Sequence, residues 1–260
     1  MNKTSIFEHV ISPAPRYLMR LERIARLLDI HVKNVDNFLE IGPGQGDVSA
    51  FALQEYPHAR AQMVEFSEPA AQHLQRRFPD RARISIRTHD FLAESSQASF
   101  DLILAFEVLE HIEHDLAALR RIHSALLPGG YFLMSVPAYM KKWQKGDEWA
   151  GHYRRYEKDE LQEKLSSTGF EIREVWSYGF PITALLHPFQ NIYYGRKLDS
   201  AVPYDKQEAS KQSGITRPLQ APDWTPWLAG IMRPLFFMQH VTRRTGLGDG
   251  WIALAQKPSR

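Results

Sequence analysis

The sequence contains no cysteine. That excludes disulfides, thiolate metal sites and cysteine nucleophiles, and it leaves the compartment open. Long hydrophobic runs are also missing. The nearest, "WLAGIMRPLFFMQHV" at Trp227–Val241, falls short of the ~20 residues of a spanning helix and is broken by Arg233-Pro234. The first residues, "MNKTSIFEHVISPAP", lack the continuous apolar stretch of a secretory signal. A cytoplasmic protein is the expectation. Charge of one sign is not in excess: the formal net charge is +2, and arginines such as Arg76, Arg77, Arg81, Arg83 and Arg87 are scattered. A nucleic-acid partner is therefore not expected. No repeat or low-complexity tract stands out. What remains, 260 residues with 43% apolar and 24% charged, describes a globular chain able to bury a full core.

The apolar residues of "PRYLMRLERIARLLDI" (15–30) recur at three- and four-residue steps, one face of an amphipathic helix. A short apolar strand follows (Phe38–Ile41), then a glycine-rich turn and a helix from Asp47. Strand and helix patterns then alternate. Strands are predicted at 60–66, 82–91, within 99–112, at 130–139 and at 170–180, with helices at 68–78, 114–127 and 157–169. Such alternation implies βαβ units and a parallel, doubly wound sheet. The expected fold is α/β, Rossmann-like, with a seven-stranded, mostly parallel sheet. The pattern fails between 181 and 245, where seven prolines punctuate the chain, and resumes in a final strand, "GLGDGWIALAQKP". The predicted organisation is a helical cap (1–35), a core (36–180 and 246–260) and an inserted lid (181–245).

"EIGPGQG" places Gly42, Gly44 and Gly46 between a strand and a helix. Glycine allows a tight turn and close approach of a ligand to backbone, and the helix start offers free N–H groups. The G-x-G-x-G spacing differs from the dinucleotide G-x-G-x-x-G pattern. The following Asp47 suits a cationic or zwitterionic ligand better than a pyrophosphate. Glu65 ends the second strand, where a carboxylate either can accept from both hydroxyls of a ribose or is simply solvated. Asp90 and Phe91 close the third strand, an Asp for an adenine amino group and a ring for the base, or simply an Asx-turn.

Together these residues resemble the class I S-adenosylmethionine-dependent methyltransferases, in their small-molecule branch (methyltransferase 11/12-like). "FLEIGPGQGD", "MVEFSE", "THDF", "FDLILAFEVLEHI" and "LLPGGYFLMSVP" look like that family's motifs in order. The resemblance implies S-adenosyl-L-methionine as cofactor and S-adenosyl-L-homocysteine as product. It implies that Glu40, the glycine loop, Phe106 and Glu107 face the methionine part. Glu65 and Phe66 would lie at the ribose, and Asp90 and Phe91 at the adenine. Arg16 or Tyr17 of the first helix would reach the methionine carboxylate.

The acceptor side is read from "DEWAGHYRRYEKDEL" (147–161), a charged loop running into a helix after the fifth strand. His152, beside Tyr153, is either a loop histidine bonded to backbone or a base facing the reacting atom. His111 is a second candidate base. In "HIEH", His111 and His114 could form a metal pair, but polar loop residues are the favoured reading, and no metal is expected. Apolar residues of the lid (Phe180, Leu185, Leu186, Phe189, Tyr193, Trp224, Trp227, Phe236, Phe237, Met238) suit a hydrophobic or aromatic small-molecule acceptor, and O-methylation is the expected reaction. Lys141, Lys142, Lys145, Arg154 and Arg155 either face solvent or receive an acidic acyl carrier protein presenting the acceptor. Peripheral membrane contact to fetch a lipid-like acceptor is a further reading. From other classes, a non-catalytic cofactor-binding module and an NAD-dependent reductase remain. The latter rests on the Y-x-x-x-K spacing of Tyr193 and Lys197, in what reads as an irregular region rather than on a helix. The sequence leaves the oligomeric state undetermined.

Overall fold

The computed structural model describes residues 6–11, 13–89, 91, 98–199 and 225–259. Seven strands form one sheet: β1 (Asn37–Ile41), β2 (Arg60–Glu65), β3 (Ile84–Thr88), β4 (Phe100–Phe106), β5 (Leu126–Pro137), β6 (Glu171–Tyr178) and β7 (Gly250–Gln256). Their order is β3-β2-β1-β4-β5-β7-β6. The first five run parallel, and β7 lies antiparallel between β5 and β6. This is the expected doubly wound, mostly parallel sheet. The order in which the chain adds strands reverses between β1 and β4, and the cleft at their carboxyl ends is where such folds hold ligands.

Nine helices are described: α1 (Pro15–His31), α2 (Asp47–Glu55), α3 (Glu68–Arg77), α4 (Asp115–Ala125), α5 (Lys145–Ala150), α6 (Lys158–Ser167), α7 (Ile182–Asp199), α8 (Thr225–Ile231) and α9 (Arg233–Val241). The central strand β4 is apolar on both faces because both are covered. Leu102, Leu104 and Phe106 join one buried cluster with α1, α2 and α9, whereas Ile103 and Ala105 join another with α4 and α6. The apolar stripe of α1 is fully buried at Leu18, Leu21, Ile24 and Leu27. At roughly 1.5–3 kcal/mol per buried large aliphatic side chain, that stripe holds the helix over the sheet.

Three regions depart from the sequence reading. The helix after β4 stops at Ala125, and β5 begins at Leu126, so Pro128-Gly129-Gly130 lies inside an irregular strand start rather than after a helix. The register slips there between Phe100 and Leu102. The loop of 147–161 begins within a short helix, α5, capped by Gln144 and Asp147 and ended by Gly151 at φ 76°. The described part of 181–245 is helical. Pro226 and Pro234 sit in the first turns of α8 and α9, where no intrahelical hydrogen bond is lost. Pro188 lies inside α7. Tyr193 therefore stands on a helix, although one that follows β6 rather than β5.

Candidate active site

The turn after β1 brings Gly42, Gly44 and Gly46 to φ 65°, 57° and 78°. Other residues rarely adopt this region. A Cβ on Gly42 would stand 2.8 Å from Val108 Cγ2, and one on Gly46 would stand 2.6 Å from the Phe78 ring. The bare backbone of this turn faces a cavity of about 250 Å³, lined among others by Tyr17, Glu40, Gly42, Gly44, Phe106, Glu107, His111 and His152. Nine of the residues read from the sequence, Arg16 among them, thus meet around one space.

Glu40 is buried and accepts a hydrogen bond from Ser49 Oγ, and burial pushes its pKa up to about 8. Glu65 stands beside the loop, its Oε2 accepting from the Gly44 amide at 3.2 Å and its Oε1 from the Ser67 amide at 3.0 Å. Burial raises its pKa despite these bonds. Glu107, at φ 57°, accepts from Arg16 (3.1 Å), Tyr178 Oη (2.8 Å) and Ser135 Oγ (3.0 Å). Burial acts to raise its pKa, but Arg16 and Arg20 outweigh it and hold the carboxyl near 2. Glu107 is thus an ionised brace that orders the wall.

Other expected residues lie elsewhere. Phe66 is exposed, and Phe91 is buried, its carbonyl receiving Arg121 Nε at 2.7 Å; neither ring lines the cavity. Tyr153 does not line it either, and its amide donates to the Glu110 carbonyl. Asp90 and Trp224 lie outside the described residues. Asp47, expected near a ligand, instead accepts from Arg77 (2.7 Å) and Tyr17 Oη (3.1 Å). The backbone of Gly46 shapes the turn without lining the space.

A second compartment of about 180 Å³ adjoins the first and shares Arg16, Glu107, Ala150 and His152 with it. His152 thus stands on the common wall. Its Nδ1 lies 2.8 Å from Asp147 Oδ1, and because an ionised carboxylate only accepts, Nδ1 carries the proton. Its Nε2 is 4.0 Å from Glu110 Oε1, beyond hydrogen-bond reach. Asp147 also receives Arg155 Nε at 2.9 Å from each oxygen. Burial acts to raise the Asp147 pKa, but the His152 and Arg155 hydrogen bonds outweigh it and keep the carboxyl low. His111 packs edge-on against His152, with centroids 4.6 Å apart. Burial, and secondarily His152, lower its pKa to about 3, so it is neutral at pH 7.

The sequence reading missed the support beneath this wall. Arg155, read as solvent-facing or as docking charge, is buried between Asp147 and Asp249. Asp249 also accepts from Arg16 (3.0 Å) and contacts His187 (3.2 Å). Its position in "GDG" before the last strand was the one available signal. The other basic residues of the supposed mouth also have partners: Lys142 donates to the Gly248 carbonyl, Lys145 pairs with Glu148 and Arg154 pairs with Asp115. Lys141 lies over the Tyr139 ring. Among the described residues, none of the apolar lid residues singled out in the sequence lines the second compartment. Leu185, Phe189, Tyr193, Trp227, Phe237 and Met238 are exposed, and Phe236 is in the core. Trp149 and Tyr194 supply the compartment's rings instead.

The positive-φ glycines, the bare backbone facing the first cavity and the strand-end carboxylate of Glu65 fit S-adenosylmethionine. Comparison with known proteins agrees. A family model described as "Methyltransferase domain" matches residues 12–175. A "Probable S-adenosylmethionine-dependent methyltransferase" of Mycolicibacterium smegmatis is 31% identical over 115 residues, covering 43% of each chain. A demethylmenaquinone methyltransferase of Chlamydia trachomatis is 31% identical over 97 residues, 37% of this chain and 42% of the relative. The matches thus span less than half the length of these relatives. Among solved structures, a phosphoethanolamine N-methyltransferase 2 of Haemonchus contortus in complex with S-adenosyl-L-methionine superposes with a TM-score of 0.58 at 19% identity, covering 99% of this chain and 57% of the other. That likeness establishes the fold. The family match over most of the chain, with the cavity it encloses, places this protein in the methyltransferase-domain family, the class I methyltransferases that use S-adenosylmethionine.

Proposed function

We propose that the chain methylates an oxygen atom of a small acceptor, with His152 as general base. The observation that carries this reading is the position of His152 on the wall shared by two compartments, its Nδ1 engaged by Asp147 and its Nε2 without a hydrogen bond. Bound S-adenosylmethionine supplies a methyl group already activated on a sulfonium. The protein's own task is then to place the acceptor in line, exclude water and accept the hydroxyl proton. In this reading the glycine turn offers backbone to the cofactor, and Glu65, tied to that turn through the Gly44 amide, accepts from the ribose hydroxyls. Asp147, kept ionised by Arg155, fixes the His152 tautomer and stabilises the imidazolium formed when Nε2 takes a proton.

We assign the cap (1–35) and lid (181–245) to closing the site around the core (36–180 and 246–260). In support, Arg16, Tyr17 and Arg20 line the first compartment, and His187, Gln190 and Tyr194 line the second. The mixture of Trp149 and Tyr194 with Gln144, Arg155 and His187 favours an acceptor with an aromatic body and polar substituents. A second reading, a lipid-like acceptor collected at a membrane surface, is favoured by the exposed apolar residues of α7 and α9. Co-sedimentation with liposomes separates the two, since a freely diffusing acceptor requires no vesicle binding.

The test of the main reading is a methyl-transfer screen over phenols, carboxylates and amines. With a phenolic or other hydroxyl acceptor, His152→Ala is expected to lower kcat by about 10²–10⁴-fold while S-adenosylhomocysteine affinity, measured by calorimetry, is kept. Full kcat in that variant removes His152 from the chemistry.

A further inference from the structure

The turn Leu109–His111 at the carboxyl end of β4 points Glu110 inward. Glu110 is fully buried, and neither of its carboxylate oxygens is hydrogen-bonded by another residue. His111 Nδ1 is likewise buried without a partner. Such groups are uncommon in native proteins, and a bare buried carboxylate costs roughly several kcal/mol unless a proton, a hydrogen bond or a cation compensates it. The nearest candidate, His152 Nε2, is too far at 4.0 Å for a hydrogen bond. One ligand atom from each of Glu110, His111 and His152 can be chosen so that all lie within 4.8 Å of one another.

We propose that Glu110, His111 and His152 bind a divalent first-row transition-metal ion. Two imidazoles and one carboxylate suit zinc, manganese, iron or cobalt, whereas calcium and magnesium take oxygen donors. The hydrogen bond from His152 Nδ1 to Asp147 is the arrangement that orients a ligating imidazole. It fixes the tautomer and leaves the Nε2 lone pair facing the Glu110 carboxylate. Asp147 is in turn held by Arg155, so the outer support of the site is complete. Three ligands leave coordination positions open, and because His111 and His152 both line the first compartment, those positions face it.

The cation site stands whether or not the chain methylates oxygen; its catalytic use rests on that reading. A hydroxyl bound to the cation loses its proton to water more readily. Nε2 cannot be ligand and base at once. In the metal-loaded protein the cation acidifies the acceptor, and in the metal-free protein His152 takes the proton.

The experiment uses untagged full-length chain, dialysed against chelator and titrated with Zn2+ and Co2+, with Mg2+ as the oxygen-preferring control. One saturable Zn2+ equivalent, Co2+ absorption bands showing imidazole ligation and much weaker Mg2+ binding are expected. Glu110→Gln and His111→Ala should abolish saturable binding, and Asp147→Asn should weaken it by about 10–100-fold. Melting curves establish that each variant is folded, and Glu110→Gln keeps the shape of the side chain. Absence of saturable binding in the wild type, or undiminished affinity in both ligand variants, overturns the proposal. S-adenosylhomocysteine titrations of the same samples, with Glu65→Ala beside them, distinguish the failures. Lost cofactor binding with intact Zn2+ binding counts against the methyl-transfer reading alone.

Discussion

At the scale of single residues, the site depends on positions where only one side chain fits. Gly46 combines φ 78° with a Cβ path blocked at 2.6 Å by the Phe78 ring. Gly46→Ala is expected to cost about 1–3 kcal/mol from the left-handed backbone and the forced repacking, read as a lowered urea midpoint. Glu65 has a different burden. Its oxygens already accept from the Gly44 and Ser67 amides, so Glu65→Ala removes both the proposed ribose acceptor and a tie that shapes the turn. We expect at least a tenfold loss of S-adenosylhomocysteine affinity by calorimetry, with Glu65→Gln recovering part of it. The glycines and Glu65 were legible in the sequence because a strand-to-helix turn constrains its own residues. Glu107 was legible by position but not by role, because the three residues that donate to it, Arg16, Ser135 and Tyr178, come from α1, β5 and β6.

At the scale of elements, Asp249 joins parts of the chain that sequence spacing does not connect. It holds Arg16 of α1, Arg155 of the loop before α6 and His187 of α7. Burial acts to raise its pKa, but the His187 hydrogen bond and the two guanidinium groups outweigh it and hold the carboxyl well below its usual value. A depressed carboxylate contributes stability that is present above the unfolded pKa of about 4 and is lost as pH falls toward the folded value. The wild type should therefore lose urea resistance steeply below about pH 4. Asp249→Asn should be less stable by about 3 kcal/mol at pH 7 and should show a flatter acid limb. Equal slopes would show that other carboxylates dominate. This network was hidden in the sequence because each ion pair joins residues far apart. The helices of 181–245 were hidden for another reason: their prolines read as breakers, although two of the three within these helices occupy first turns.

At the scale of the whole molecule, the doubly wound, mostly parallel sheet followed from the alternating patterns, because each βα unit carries its own periodicity, whereas the strand order appears only in the fold. The direction of the lid's rings did not follow, since α7 is apolar on several sides. Phe189 and Phe237 are each 71% exposed, whereas the adjacent Phe236 is 8% exposed and stacks on Phe7. Phe189→Ser and Phe237→Ser should each shift stability by no more than about 0.5 kcal/mol, whereas Phe236→Ala should cost about 3–5 kcal/mol. Thermal melts of the three variants check the pattern. No described helix is long and apolar enough to cross a membrane.

Arg16 lines both compartments and also grips Asp249, 233 residues further along the chain and next to the start of β7. One guanidinium therefore links whatever fills the cleft to the middle strand of the antiparallel edge. In hydrogen-exchange terms, a ligand that pins Arg16 is expected to slow amide exchange not only in α1 but also at Gly250 and Trp251, at the entry to β7, neither of which lines either compartment.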